Sequence, residues 1–312
     1  MSPVITAVLP LFSLIGLGAV VRRSGWMGPA AVTELNRFVV LLALPALLFS
    51  IMAKAHWSML AQPGLATVFA VGMLGVYLPV MAWLCWRGVG LTDASIDALS
   101  ASYANTGFMG IPLIQLTLGA TALPGVGLSV VMTACLLFAF ALTTIELGRQ
   151  RGGGLPSTAC RTAWALLKNP LIWAPLAGAM ISLGGLPLPA FLLTTVDLLG
   201  AAASPCALVV LGMFLAAPAQ QETLPVAGWA SLSAMKLLVQ PALTWLVAMA
   251  LQLPSTQMHL VMLMALLPTG TGPFMLAERY GRRAAMSSRV ILVTTLASLV
   301  TLSTYLTVFM GE

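Results

Sequence analysis

Of 312 residues, 60% are hydrophobic and only 7% are charged, where a soluble domain carries about 25% charged residues. So few charges cannot cover a water-exposed surface, which excludes an ordinary soluble enzyme or binding domain and makes lipid the main solvent of the fold. The net charge of +6 sits between apolar segments, so it reports membrane topology and implies no nucleic-acid partner.

The chain begins Met1-Ser2-Pro3 and becomes apolar at once, without the basic region of a cleaved signal peptide. The first span is therefore predicted at 3–21. The others follow at 35–53, 65–86, 95–119, 122–146, 169–184, 190–217, 226–251, 257–279 and 288–310, at about 20 apolar residues per crossing. No polar stretch between them is long enough for a soluble domain. The expected class is an all-α integral membrane protein of ten transmembrane helices.

Basic residues alternate by connection. Arg22, Arg23 and Arg37 lie at the first and Arg87 at the third. Arg149, Arg151, Arg161 and Lys168 lie in or beside the fifth, and Arg279, Arg282, Arg283 and Arg289 surround the ninth. These twelve fall on one side of the predicted topology and Lys54 on the other. The positive-inside rule makes the twelve cytoplasmic and both termini periplasmic, with the chain multi-pass in a bacterial inner membrane. The segment 147–168, basic and containing Gly152-Gly153-Gly154, reads as a flexible cytoplasmic linker. It separates 1–146 from 169–312, two halves of five spans each. Five is odd, so the second half crosses in the opposite sense, as an inverted repeat does.

Two spans carry breakers at mid-depth. The fourth contains Asn105-Thr-Gly-Phe-Met-Gly-Ile-Pro112 and the ninth Pro268-Thr-Gly-Thr-Gly-Pro273. Proline removes a backbone donor and glycine weakens helix, so both spans should break. Exposed backbone at that depth is tolerated only where protein buries it or water reaches it. The spacing from Pro45 to Pro112 matches that from Pro205 to Pro273 within one residue, and Pro45 and Pro205 are expected to interrupt the second and seventh spans. A simple proline kink is the plainer alternative. Matched breaks favour a site, because each break would start a half-helix whose free N–H groups attract anions. The candidate substrate residues there are Asn105, Gly107, Gly110, Pro112, Thr269, Gly270, Thr271, Gly272 and Pro273. Lys236, about ten residues into the eighth span, joins them as an intramembrane cation; snorkelling or pairing with a carboxylate is its alternative. Asn105 has a helix–helix hydrogen bond as its alternative. Glu278 is expected to pair with a nearby arginine. Cys85, Cys135, Cys160 and Cys206 form no CxxC pair, and His56 and His259 stand near helix ends. No metal site, haem or other cofactor is indicated.

The stretch Asn105-Thr-Gly-Phe-Met-Gly-Ile-Pro-Leu113 resembles the first crossover of the auxin efflux carrier family. Leu35-Asn-Arg-Phe-Val-Val-Leu-Leu-Ala-Leu-Pro-Ala-Leu-Leu-Phe49 resembles that family's second helix, and Ser204-Pro-Cys-Ala-Leu-Val-Val-Leu-Gly212 its seventh. The resemblance runs from end to end, without the large central loop of many plant members. It implies ten helices in two inverted five-helix repeats, with unwound crossovers in helices 4 and 9. Helices 1, 2, 6 and 7 would form a scaffold, through which two copies form a homodimer, and the rest a transport domain moving like an elevator. Asn105 would contact the substrate. Compact bacterial relatives are often assigned malonate or another organic acid. The second crossover is more glycine-rich than the family pattern. The bile acid:sodium symporters share the architecture but place carboxylates or glutamine near their crossovers for sodium; neither break here contains Asp or Glu.

The leading expectation is a secondary carrier for a small organic anion, with a sodium-coupled organic-anion symporter as its rival. A membrane enzyme would need a nucleophile with its base, or a metal, and the sequence offers no such set. A transporter-derived sensor would need an output domain, and the longest loop is too short for one.

Overall fold

A computed structural model describes residues 4–55, 62–149, 169–217 and 224–309. Arg151, Arg161, Lys168, Cys160, His56 and most of the proposed linker lie outside the described residues. Along the chain, the described helices are α1 (4–23), α2 (29–53), α3 (Pro63–Trp86), α4a (Leu91–Ser102), α4b (106–117) and α5 (123–149). They continue with α6 (Pro170–Gly184), α7 (Ala190–Leu215), α8 (Val226–Ala250), α9a (Ser255–Leu266), α9b (Gly272–Tyr280) and α10 (Ala284–Phe309). Among the described residues there is no strand, only an isolated bridge between Ala104 and Thr269. The protein is all-α, and its helices follow the predicted spans in order.

Among the described residues, six helices are long and apolar enough to cross a membrane unbroken: Thr6–Arg23, Ala30–Ala53, Pro63–Trp86, Ala190–Leu215, Val226–Ala250 and Ala284–Phe309. Both the fourth and the ninth predicted spans are split into two half-helices. The ninth unwinds at its expected breakers, over 267–271, whereas the fourth unwinds at 103–105, just ahead of them, and Gly107, Gly110 and Pro112 lie inside α4b. α6 has only 15 residues, roughly 22 Å at 1.5 Å per residue. Many helices start on proline, including Pro29, Pro63, Pro170 and Pro273, where its missing N–H costs no hydrogen bond. Asn169 caps α6 by accepting from the Leu171 amide at 3.0 Å. Gly185 and Gly281 end α6 and α9b in the left-handed conformation.

Pro45 does not interrupt α2. The widened, π-type turns Val4–Val8, Val39–Ala43, Thr106–Gly110 and Met235–Val239 each end two residues before a proline, at Pro10, Pro45, Pro112 and Pro241. Proline cannot donate, and its ring presses on the carbonyl four residues earlier. Widening the preceding turn relieves both problems and lets the helix run on. In α7 the irregularity sits at Ala202, just before Pro205.

α1 packs on α7, and α2 packs on α6. Each first helix of one half thus lies on the second helix of the other. Both contacts are close: a methyl group at Gly18 or Gly212 would collide with α7 or α1 backbone, and one at Gly178 with α2 backbone. Lys54 at the end of α2 pairs with Asp197 of α7 at 2.6 Å. α3 packs on α4a and α8, and α8 packs on α9a. Asp97, buried in α4a, pairs with Arg283 at 2.8 Å, which ties α4a to the turn before α10. Trp26 and Trp86, both largely exposed, stand beside Arg22, Arg23 and Arg87, the place of an interfacial aromatic belt.

Candidate substrate site

The two breaks meet. After α4a ends at Ser102 and α9a at Leu266, the extended residues run antiparallel. The Asn105 amide donates to the Pro268 carbonyl at 2.9 Å, and the Gly270 amide donates to the Tyr103 carbonyl at 3.0 Å. Each unwound segment thereby satisfies the other's backbone at a depth where water is scarce. Side chains meet the carbonyls that the half-helices leave open. Thr269 donates from its hydroxyl to Ser100 at 2.8 Å, Gln240 from Nε2 to Ser102 at 3.0 Å, and Lys236 from Nζ to Ala265 at 2.8 Å. Lys236 and Gln240 stand one turn apart on α8, so one face of that helix caps the C-terminal ends of both α4a and α9a. A cation suits that end of the helix dipole.

On the other side of the bridge lies a cavity of ≈ 280 Å³, near the range of small-ligand pockets. Its polar wall is Asn105, Thr106, Gly107 and Phe108 at the start of α4b, with Thr271 and Gly272 at the start of α9b. First-turn N–H groups lack intrahelical acceptors, so two half-helix N-termini border one cavity. Apolar residues of α2 and α5, among them Leu44 and Phe138, close it, and Asn169 and Arg279 lie at the end where the arginines cluster. Asn105 is 4% exposed, and its Nδ2 has no hydrogen-bond partner in the protein. A buried donor left so costs about 1–3 kcal/mol.

The predicted residues therefore divide. Asn105, Gly107, Thr271 and Gly272 line the cavity. Thr269, fully buried, serves the bridge. Gly270 and Gly272 admit the Tyr103 ring, which a methyl group at Gly272 would approach to 2.7 Å. Gly110 gives room to Met264 and Leu267. Pro112 and Pro273 sit in the first turns of regular helix. Lys236 is completely buried and absent from the cavity wall.

Arg279 is the residue that sequence reasoning missed. In the sequence it carries only a topology signal, yet it is the one charged residue lining the cavity among the described residues. Its guanidinium lies 5.9 Å from the Tyr280 ring and pairs with no carboxylate among the described residues. The signal was present: Thr271, Met275 and Arg279 recur every four residues, hence on one face of α9b. Glu278 forms no arginine pair among the described residues and instead lines a second cavity with Arg22 and Arg289. No group of three metal-ligating side chains occurs among the described residues.

A family model described as membrane transport protein matches residues 3–154 and 157–306. The chain is 29% identical, over 97% of its length and 95% of the relative's, to a protein named "Putative malonate transporter" from Rhizobium meliloti (strain 1021). It is 24% identical, over 94% of both chains, to "Uncharacterized transporter YfdV" of Escherichia coli (strain K12). It is 26% identical, over 95% of both chains, to an "Uncharacterized transporter" of Methanothermobacter thermautotrophicus.

Proposed function

The chain belongs to the auxin efflux carrier-like membrane transport protein family and is a membrane transporter; from that premise we propose that it carries a small organic anion, a carboxylate such as malonate or another organic acid, by alternating access. The observation that carries the reading is Asn105, a residue with an unpartnered side-chain amide that lines a cavity bordered by two half-helix N-termini and one arginine. Amide, dipoles and guanidinium all favour an anion, and none requires a metal or cofactor.

The helix contacts support an inverted repeat, because α1 on α7 and α6 on α2 exchange roles between the halves. In this reading α1, α2, α6 and α7 are the scaffold and the dimer surface. The helices carrying the crossovers move against them as an elevator. With the arginine-rich ends in the cytoplasm of a bacterial cell and both termini periplasmic, the cavity beside Asn169 and Arg279 is the inward-facing access route. The choice between cytoplasmic and periplasmic ends rests on the basic asymmetry alone.

The test is uptake of radiolabelled mono- and dicarboxylates into proteoliposomes, with and without Na⁺ and pH gradients. Saturable uptake of one carboxylate is expected. Transport of cations or neutral solutes in place of every carboxylate would overturn the assignment, and strict Na⁺ dependence would favour the symporter alternative.

A further inference from the structure

α9b separates two cavities. Thr271, Gly272, Met275 and Arg279 face the substrate cavity, while Phe274 and Glu278, on the adjoining face, line a second cavity of ≈ 370 Å³. The second cavity lies between α1, α2 and α7 on one side and α9b and α10 on the other. Arg22 enters it from the last turn of α1, and Arg289 from the second turn of α10. Neither arginine pairs with a carboxylate among the described residues. Both stand within about 8 Å of a helix end at 1.5 Å per residue, the depth of lipid phosphates. The floor is apolar: Phe214 and Phe274 meet edge to face at 4.7 Å, beside Leu292.

We propose that this second cavity binds the headgroup of an anionic phospholipid, its phosphate between Arg22 and Arg289, and that its occupancy acts on the substrate cavity through α9b. Basic pockets between helices at the cytoplasmic surface recognise such headgroups. Thr33, Ser288 and Glu278 also border the space and offer acceptors to hydroxyls. That set fits a phosphoglycerol diester. A phosphate monoester would bring a second negative charge toward Glu278. The aromatic floor accepts the start of the acyl chains. Lipid binding makes no use of Asn105 or of the transported anion, so it stands or falls separately from the substrate assignment; only the coupling through α9b rests on that reading.

The test titrates phosphatidylglycerol, phosphatidylcholine and inorganic phosphate against the purified full-length chain in neutral detergent, reading thermal unfolding. Phosphatidylglycerol is expected to raise the midpoint where phosphatidylcholine does not. The double variant R22Q/R289Q should need roughly 30-fold more lipid for the same rise, the weight of two interfacial arginines. Arg37→Gln, outside the cavity, should titrate as wild type. Equal rises with both lipids, or a double variant that titrates as wild type, would overturn the site. An equal rise with inorganic phosphate would make it a soluble-anion site and overturn the lipid. If the double variant does not fold, native mass spectrometry of the wild-type chain in a mixture of the two lipids decides, since selective retention of phosphatidylglycerol is expected and equal retention contradicts it. Substrate affinity should also change with phosphatidylglycerol in the wild type; an unchanged affinity would overturn the coupling through α9b.

Discussion

Asn105 and Pro268 join the two broken helices: the Asn105 amide donates to the Pro268 carbonyl at 2.9 Å, across 163 positions of sequence separating their numbers in the chain. The backbone of Asn105 is thus held by the opposite crossover, while its side-chain nitrogen remains without a partner. In the proposed function, holding and recognition fall to different atoms of one residue.

Substituting Asn105 should therefore affect binding far more than folding. A hydrogen bond to a charged group contributes about 1.5–3 kcal/mol, so Asn105→Ala should weaken substrate binding roughly 10- to 150-fold. Asn105→Asp should be worse, because it sets a like charge against the carboxylate. The backbone bond to Pro268 survives both changes, so thermal stability should stay near wild type. Substrate-dependent thermal shift beside proteoliposome uptake reads both quantities. Normal uptake by Asn105→Asp would move the binding site elsewhere.

Lys236 should behave in the opposite way. Its Nζ caps Ala265 and does not reach the substrate cavity. Lys236→Ala strips a partner from a buried carbonyl and leaves a void, so unfolding should become easier by about 1–3 kcal/mol. Substrate affinity per folded molecule should change little. A large loss of affinity with unchanged stability would return Lys236 to the binding site.

Arg279 stands at the cavity's exposed end, where charge steers encounter and is screened by salt. Arg279→Gln should raise the KM for uptake several-fold at low ionic strength, and the gap from wild type should narrow as salt is added. Stability should be unaffected. Equal KM values at low salt would remove Arg279 from the access route.

Gly272 and Tyr103 offer a paired test. A methyl group at position 272 would lie 2.7 Å from the Tyr103 ring, and overpacking of this kind costs about 1–3 kcal/mol. Gly272→Ala should lower both stability and uptake, and Tyr103→Leu in the same chain should recover part of each. Additive losses in the double-mutant cycle would show that the two positions do not touch.

Topology can be checked by single cysteines in a chain stripped of its own. An impermeant thiol reagent applied from outside should label Ser2→Cys and Gly311→Cys. It should reach Gly153→Cys only after permeabilisation. Labelling of Gly153→Cys in intact cells would invert the orientation argued from the arginines.

The amino-acid sequence by itself determined what depends on neighbours along the chain. Apolar runs of spanning length, the alternation of arginines, and the places where Gly and Pro weaken a helix are local properties; the ninth span breaks where those residues stand, and the fourth breaks at 103–105, just ahead of Gly107, Gly110 and Pro112. The effect of Pro45 was less legible, because a widened turn at Val39–Ala43 absorbs it and α2 continues. Only the tertiary structure decided which atoms the breaks expose. Thr269 looked equivalent to Thr271, yet it turns its hydroxyl to Ser100 while Thr271 lines the cavity. Lys236 looked like a ligand for the substrate and caps a half-helix; Arg279 looked like a topology signal and lines the cavity. A polar side chain in a nearly dry interior goes to whichever unpaired group lies closest. For Thr269 and Gln240 the group arrives from a helix more than a hundred residues away, and for Lys236 from one 29 residues on, so their pairing is set by packing and not by local sequence.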